Sequence, residues 1–335
     1  MNRILLIKLR YIGDVVLCTP LLPLIRKHFP DAKLTFLVNP GTEGVLCGNP
    51  YLDEVMIVPR QGWMKQWAFI RGLRKRGFDV VLDLTDADRS ALLSWWSGAS
   101  VRIGYNREKR WRGTCYTHVL PSTYGSMHMV DYHAQALVPL GIVEAVGLPE
   151  LFVGEEERQK SERLLVGLLS ATQFLVLLHP TARYESKAWP LERFAALADW
   201  LVGQGAQVAI IGSQQEWLIG QQIVNVAKKK LVNLMGQTPI PELAGLMKRS
   251  GLLIANDGGP LHIAAAVGCP AIGLFGPTDP AVWGPRGHTS RVIYKGVDCE
   301  ECFYPGCSRG EESCMRLISV EEVCQAAQAF LPVSV

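Results

Sequence analysis

No apolar run in this chain of 335 residues approaches the roughly 20 residues that a membrane-spanning helix requires. The opening MNRILLIKLR has only a short apolar run before Lys8 and no small-residue cleavage site after it, so it does not read as a secretory signal. A cytoplasmic protein is expected. Charge of one sign is equally scarce. The 34 Lys plus Arg and 31 Asp plus Glu leave a net +3, too little to argue for nucleic acid as a partner. In a reducing compartment the nine cysteines do not read as a disulfide framework.

What is present is an ordinary globular composition, 48% hydrophobic and 19% charged, on a chain longer than one core usually supports. Two halves repeat the same order of strand, turn and helix. β-type runs fall at residues 3–9, 34–38, 55–58 and 80–84, then at 174–178, 207–211, 231–234, 252–255 and 271–275. Helical patterns lie between them, including 191–202, 216–228 and 240–248. Strands alternating with helices predict parallel sheets covered on both faces. Polarity rises over 153–163, which places the domain boundary there: 1–158 and 159–335, with the last helix packing back on the first. The expected fold class is α/β: two Rossmann-like, doubly wound domains facing a cleft, the architecture called GT-B.

The densest motif is Asn256-Asp257-Gly258-Gly259-Pro260-Leu261-His262, between a strand and a helix. Glycines allow close backbone approach, and a helix start binds anions through free N–H groups and the dipole. A diphosphate is its natural occupant; the alternative is a plain turn capped by Asp257. Gly13-Asp14 follows the first strand. Its carboxylate can take a proton from a hydroxyl, or simply cap the next helix. In the segment 179–190 a cation such as Lys187 could neutralise a leaving diphosphate, or pair with a neighbour on a solvated loop. Glu216 follows the strand at 207–211, where an acid can hold ribose hydroxyls or complement a helix dipole.

These strings resemble glycosyltransferase family nine, the ADP-heptose:lipopolysaccharide heptosyltransferases, over nearly the whole chain. Leu9-Arg10-Tyr11-Ile12-Gly13-Asp14, Asp83-Leu84-Thr85-Asp86 and Pro180-Thr181-Ala182-Arg183 resemble most the heptosyltransferase III branch. The resemblance implies an inverting, metal-independent transfer of heptose from ADP-heptose to the inner core of lipopolysaccharide, with no cofactor. It implies Asp14 as the catalytic base and Lys187 beside the donor phosphates. The donor set becomes Thr181, Glu216, Met235, Asp257, Gly258, Gly259 and His262. The segment between His179 and Lys187 is one residue longer than in some members. Rival readings are a nucleotide-sugar epimerase of the same architecture, a transferase using another nucleotide sugar, and a non-enzymatic two-domain binding protein.

Arg102, Arg107, Lys109, Arg110 and Arg112 crowd eleven residues, with only Glu108 to offset them nearby. Arg forks suit acceptor phosphates or carboxylates, so Arg102, Arg107, Arg110 and Arg112 are the acceptor candidates; a solvated loop is the alternative. Trp63, Trp67, Ile70 and Leu73 recur at helical spacing beside Arg71, Arg74, Lys75 and Arg76. Such a helix either packs on the sheet or lies on an anionic membrane surface, giving a peripheral position at the inner membrane. Trp95 and Trp96 read as core. Cys299, Cys302, Cys307 and Cys314 form C-x2-C-x4-C-x6-C, a metal cluster or reduced structural thiols.

Overall fold

The computed structural model describes residues 2–166, 174–287, 289–299, 302 and 307–332. The chain divides into two units, Met1–Phe152 and Val153–Val335. The first contains β1 (Arg3–Lys8), α1 (Ile12–Val16), α2 (Leu21–His28), β2 (Lys33–Val38), β3 (Glu54–Ile57), α3 (Trp63–Lys75), β4 (Val80–Asp83), α4 (Asp88–Trp96), β5 (Val101–Tyr105), β6 (His118–Leu120) and α5 (Met129–Ala134). The second contains α6 (Glu155–Leu165), β7 (Leu175–His179), α7 (Leu191–Gly203), β8 (Gln207–Ile210), α8 (Trp217–Val226), β9 (Val232–Asn233), α9 (Ile240–Arg249), β10 (Leu252–Asn256), α10 (Gly259–Val267), β11 (Ala271–Phe275), α11 (Pro280–Trp283), β12 (Ser290–Tyr294) and α12 (Val320–Gln328). Helix α6, which a boundary at 158/159 would cut, lies whole in the second unit.

Both sheets are parallel throughout. Their orders are β3-β2-β1-β4-β5-β6 and β12-β11-β10-β7-β8-β9. Read from the far edge, the second runs β9-β8-β7-β10-β11-β12, so the two units repeat one doubly wound topology. Its switch point, where the strand order reverses, falls between β1 and β4 in one unit and between β7 and β10 in the other. The central strands are apolar because helices cover both faces. Every residue of β4, β10 and β11 is buried, as are the last five of β1. Among the described residues no helix is long and apolar enough to cross a membrane.

Helix α12 packs on α7, and Ile318, Val323 and Ala327 complete the core around Trp189 and Phe194. The indole Nε1 of Trp189 donates to the Ile318 carbonyl at 2.9 Å and pins the segment that leads into α12. The stripe on α3 is only half a packing face. Leu73 is buried and Ile70 half-buried, but Trp63 and Trp67 stand in solvent. On α4, Trp95 is exposed and Trp96 half-buried, so neither is the core residue expected.

Candidate active site

At the switch point of the first unit, β1 ends in a lysine. Lys8 is 3% exposed, and its ammonium meets three acceptors. It donates to the Leu84 carbonyl at 2.9 Å and to His133 Nε2 at 3.0 Å, and it pairs with Asp14 Oδ1 at 3.4 Å. An ammonium has three protons and no lone pair, so His133 Nε2 must accept. Its Nδ1 then carries the hydrogen, which finds no acceptor among the described residues. Burial first, and then the Lys8 charge, hold the His133 pKa well below the usual imidazole range, so the ring is neutral.

Asp14 sits in the first turn of α1. Its other oxygen, Oδ2, reaches back to the Tyr11 N–H at 3.4 Å, a long cap. The carboxylate remains partly accessible, and the cation that faces it is one the sequence reading did not single out. The floor of this corner is Asp83 at the end of β4. Burial raises its pKa, opposed by hydrogen bonds from the Thr85 N–H at 2.9 Å and the Tyr116 hydroxyl at 2.7 Å. Thr85 in turn accepts from the Leu9 N–H at 2.9 Å, which ties the end of β4 to the residue after β1.

The arginine-rich stretch divides by partner. Arg102 lies on β5 rather than on a loop, and its guanidinium donates to the carbonyls of Cys115 and Ala99. Arg112 is 3% exposed and pairs with Asp86 at 2.8 Å and with Asp88 and Glu108 at 3.2 Å each. Both guanidiniums are engaged by neighbouring groups of the first unit. Arg107 and Arg110 keep accessible guanidiniums. Arg107 lies 4.1 Å above the Tyr124 ring and 3.9 Å from Asp86; Arg110 pairs with Asp88 and Glu108 at 3.3 Å each. Asp86 itself takes a left-handed φ of 53°, a conformation that Asp tolerates better than most residues.

In the second unit the switch point gathers the other candidates. Lys187 Nζ bonds Asp257 Oδ2 at 2.7 Å, and the same oxygen accepts from the Thr278 hydroxyl at 2.5 Å. Asn256, the last residue of β10, spans to the neighbouring segment. Its Nδ2 donates to the Pro180 carbonyl at 2.7 Å, and its Oδ1 accepts from the Trp189 N–H at 3.1 Å. The Lys187 loop is thus fastened to the strand that carries Asp257. Gly258 has extended backbone, φ 175°, and caps α10. A Cβ there would meet nothing closer than 3.8 Å, so the fold itself does not demand glycine. His262 is buried one turn into α10.

Thr181 and Glu216 meet beside β7 and β8. The Thr181 hydroxyl is 3.2 Å from His179 Nε2 and also hydrogen-bonds Glu216. Glu216 Oε2 accepts from the Ser213 N–H at 2.8 Å and hydroxyl at 2.6 Å, closing a capping box. Burial pushes the Glu216 carboxyl up, but those hydrogen bonds outweigh it and hold it below the ordinary range. Met235 is 0% exposed, and its side chain fills the space that the missing Cβ atoms of Gly212 and Gly220 leave open.

No disulfide links the cysteines. Among the described residues, no three His, Cys, Asp or Glu side chains are arranged to hold a metal ion. Residues 300, 301 and 303–306 between them lie outside the described residues. Cys299 is exposed and Cys314 buried, and burial, then its three cysteine neighbours, pushes the Cys314 thiol up.

The glycosyltransferase family 9 (heptosyltransferase) model matches residues 66–312. The chain belongs to this family. It is therefore a glycosyltransferase, and neither the epimerase nor the non-enzymatic reading is favoured. Lipopolysaccharide heptosyltransferase 3 of Escherichia coli (strain K12) is 31% identical over 290 residues, 83% of each chain. Among solved structures, a glycosyl transferase family 9 protein from Veillonella parvula DSM 2008 superposes with a TM-score of 0.87 at 24% identity, covering 98% of this chain and 97% of its own. The E. coli ADP-heptose lps heptosyltransferase II gives 0.84 at 23%, covering 98% of both. The two doubly wound sheets are thus of the GT-B type.

The buried ring of His179 makes a stability prediction. Burial lowers its pKa to about 4, against the opposing charge of Glu216. A ring that titrates lower when folded gives stability that is complete above the unfolded pKa of about 6.5 and is lost as pH falls, because only the unfolded chain takes up the proton. Between pH 7 and pH 5 this should remove about 2 kcal/mol, at about 1.4 kcal/mol per pH unit below the unfolded value. Urea unfolding at the two pH values should show a loss in the wild type that is about 2 kcal/mol smaller in His179→Gln.

Proposed function

We propose that the chain transfers heptose, with inversion, from ADP-heptose to the inner core of lipopolysaccharide, working as a peripheral protein at the inner face of the cytoplasmic membrane. The observation that carries the reading is the Lys187–Asp257 pair set beside the start of α10 at a switch point. There a diphosphate would meet a helix dipole, unprotected N–H groups and a positioned ammonium. Asp257 and Thr278 fix where that ammonium sits before the donor arrives. Glu216 and Thr181, at the next strand end, would take the ribose hydroxyls. The names of the similar proteins support the donor and acceptor: lipopolysaccharide heptosyltransferase 3 and the ADP-heptose lps heptosyltransferase II.

In this mechanism Asp14 accepts the proton of an acceptor hydroxyl as its oxygen bonds to the anomeric carbon. The bond from that carbon to the diphosphate breaks, and Lys187 with the α10 start stabilises the departing ADP. No metal enters any step. Lys8 orients Asp14, and Arg107 and Arg110 engage anionic groups on the acceptor.

Asp14→Asn keeps one oxygen, enough for the Tyr11 cap or for Lys8 but not both, and cannot take the proton. It should lower kcat by about 10²–10⁴ while ADP affinity holds. A variant that keeps wild-type kcat in a heptose-transfer assay would remove Asp14 from the base role.

Gly258→Val adds side-chain atoms where the fold has room but a diphosphate would need the backbone. ADP affinity measured by calorimetry should fall by about tenfold or more, the worth of one good hydrogen bond to a charged group, with Tm unchanged.

Arg107→Ala combined with Arg110→Ala should raise the acceptor KM by about tenfold or more and leave ADP affinity alone, since charge-assisted bonds are worth about 1.5–3 kcal/mol each. Unmoved acceptor kinetics would make this segment surface only.

A further inference from the structure

Helix α3 reads WMKQWAFIRGLRK, with four basic residues and no acidic one. Its inner face seats Leu73 and half-buries Phe69 and Ile70. On its outer face Trp63 is 73%, Met64 67% and Trp67 60% exposed, side by side at helical spacing. Lys65, Arg71, Arg74 and Lys75 are exposed around them, and none has a salt-bridge partner among the described residues. Beside this face, between α3 and α4, lies a groove of about 450 Å³ lined by Val58, Phe69, Ile70, Leu93 and Trp96. Two indoles and a thioether held in water with a groove of apolar side chains next to them is a costly surface for a soluble monomer.

We propose that the outer face of α3 is the membrane-docking surface of this protein, and that its occupant is the interface of an anionic bilayer. The inference deepens the proposed function by placing its peripheral membrane contact on named residues. Charge complementarity selects this occupant. Trp is the residue whose apolar ring and N–H suit the headgroup boundary, and each nearby Lys or Arg gains from an anionic leaflet. A second copy of the chain meeting this face about a twofold axis would set four cations against four cations. The same cations make a neutral apolar partner a poor match.

The test is co-sedimentation of the full chain with vesicles of phosphatidylcholine mixed equally with phosphatidylglycerol, against vesicles of phosphatidylcholine alone. The wild type should bind the anionic vesicles and barely bind the neutral ones. Lys65→Ser with Arg71→Ser should weaken binding by roughly thirtyfold, at about fivefold for each charge. Trp63→Ser with Trp67→Ser should weaken it by about tenfold or more and, unlike the charge pair, should do so at high salt as well. All four side chains are solvent-exposed, so both double variants should keep the wild-type Tm. Absence of wild-type binding, or variants that bind like the wild type, overturns the proposal. So does a wild-type dimer in sedimentation analysis that the Trp63→Ser, Trp67→Ser variant loses, since the face would then serve a second copy. Heptose transfer to a deacylated, water-soluble core oligosaccharide separates this from the proposed function. Transfer without vesicle binding overturns the docking surface and leaves the activity. Variant-sensitive binding without transfer supports the surface and overturns the activity.

Discussion

A parallel sheet with helices on both faces has nowhere along its strands to expose a polar group, so its chemistry is confined to strand ends. That constraint organises both units. The central strands are apolar along their length, and polarity appears where they stop: Lys8 at the end of β1, Asp83 at the end of β4, His179 at the end of β7 and Asn256 at the end of β10. At a switch point the connections leave the sheet on opposite faces, which opens a crevice between two adjacent ends. The same crevice occurs twice in the chain. In each case a polar side chain bridges it: Lys8 to the Leu84 carbonyl in one unit, Asn256 to the Pro180 carbonyl in the other.

Buried cations obey a second rule, that each must be matched at once by acceptors. Removing an ion from water costs several kcal/mol even after relaxation, and leaving a buried charge without its partner costs about 3–5 kcal/mol. Lys8 meets a carbonyl, an imidazole and a carboxylate; Arg112 meets three carboxylates; Lys187 meets Asp257. Arg112 spends Nη1 and Nη2 on those carboxylates and holds the β5–β6 segment against α4 and the residues after β4. Lys187 sits beside a helix start that can receive an anion, so a diphosphate arriving there finds its counter-charge already placed. Sequence proximity does not distinguish these cases. Burial and the number of partners do.

Much of the fold was legible because a strand buried on both faces needs a continuous apolar run, and RILLIK and LLIAN supply one. Strand β5 was not. Arg102 and Gly104 interrupt it, and Gly104 is there because a Cβ would sit 2.4 Å from the Tyr116 ring, a contact 12 residues on that no local pattern reveals. The motifs at 13–14 and 256–262 were legible because they join apolar strands to helices through glycine. Their partners were less so. Lys187 and Asp257 are 70 residues apart, and two of the three acids that claim Arg112 lie 26 and 24 residues upstream of it. Lys8 and His133 were missed: a lysine closing an apolar strand looks like a solvated end, and its histidine stands 125 residues away. The tryptophans of α3 failed differently. Helical spacing shows that a stripe exists, but only packing shows which side of it faces the sheet.

The carboxylates near the switch points differ most in how firmly they are already held. Asp83 is fully buried and takes two hydrogen bonds shorter than 3 Å; Glu216 takes 2.6 and 2.8 Å contacts from Ser213; Asp257 shares one oxygen between Lys187 at 2.7 Å and Thr278 at 2.5 Å. Asp83 and Asp257 are spent on holding structure or a cation, and Glu216 already has one oxygen on Ser213. Asp14 has a 3.4 Å cap on one oxygen and a 3.4 Å ion pair on the other. A strongly solvated or tightly hydrogen-bonded carboxylate is a weaker base, because the bonds that favour the anion must loosen before it can take a proton. Acting on a sugar hydroxyl therefore requires a carboxylate oriented by a neighbour but not consumed by it. Lys8 lies 3.4 Å from Asp14 and is itself anchored to Leu84 and His133. The long contacts are then what the proposed base needs, and the short ones mark the carboxylates that build the site around it.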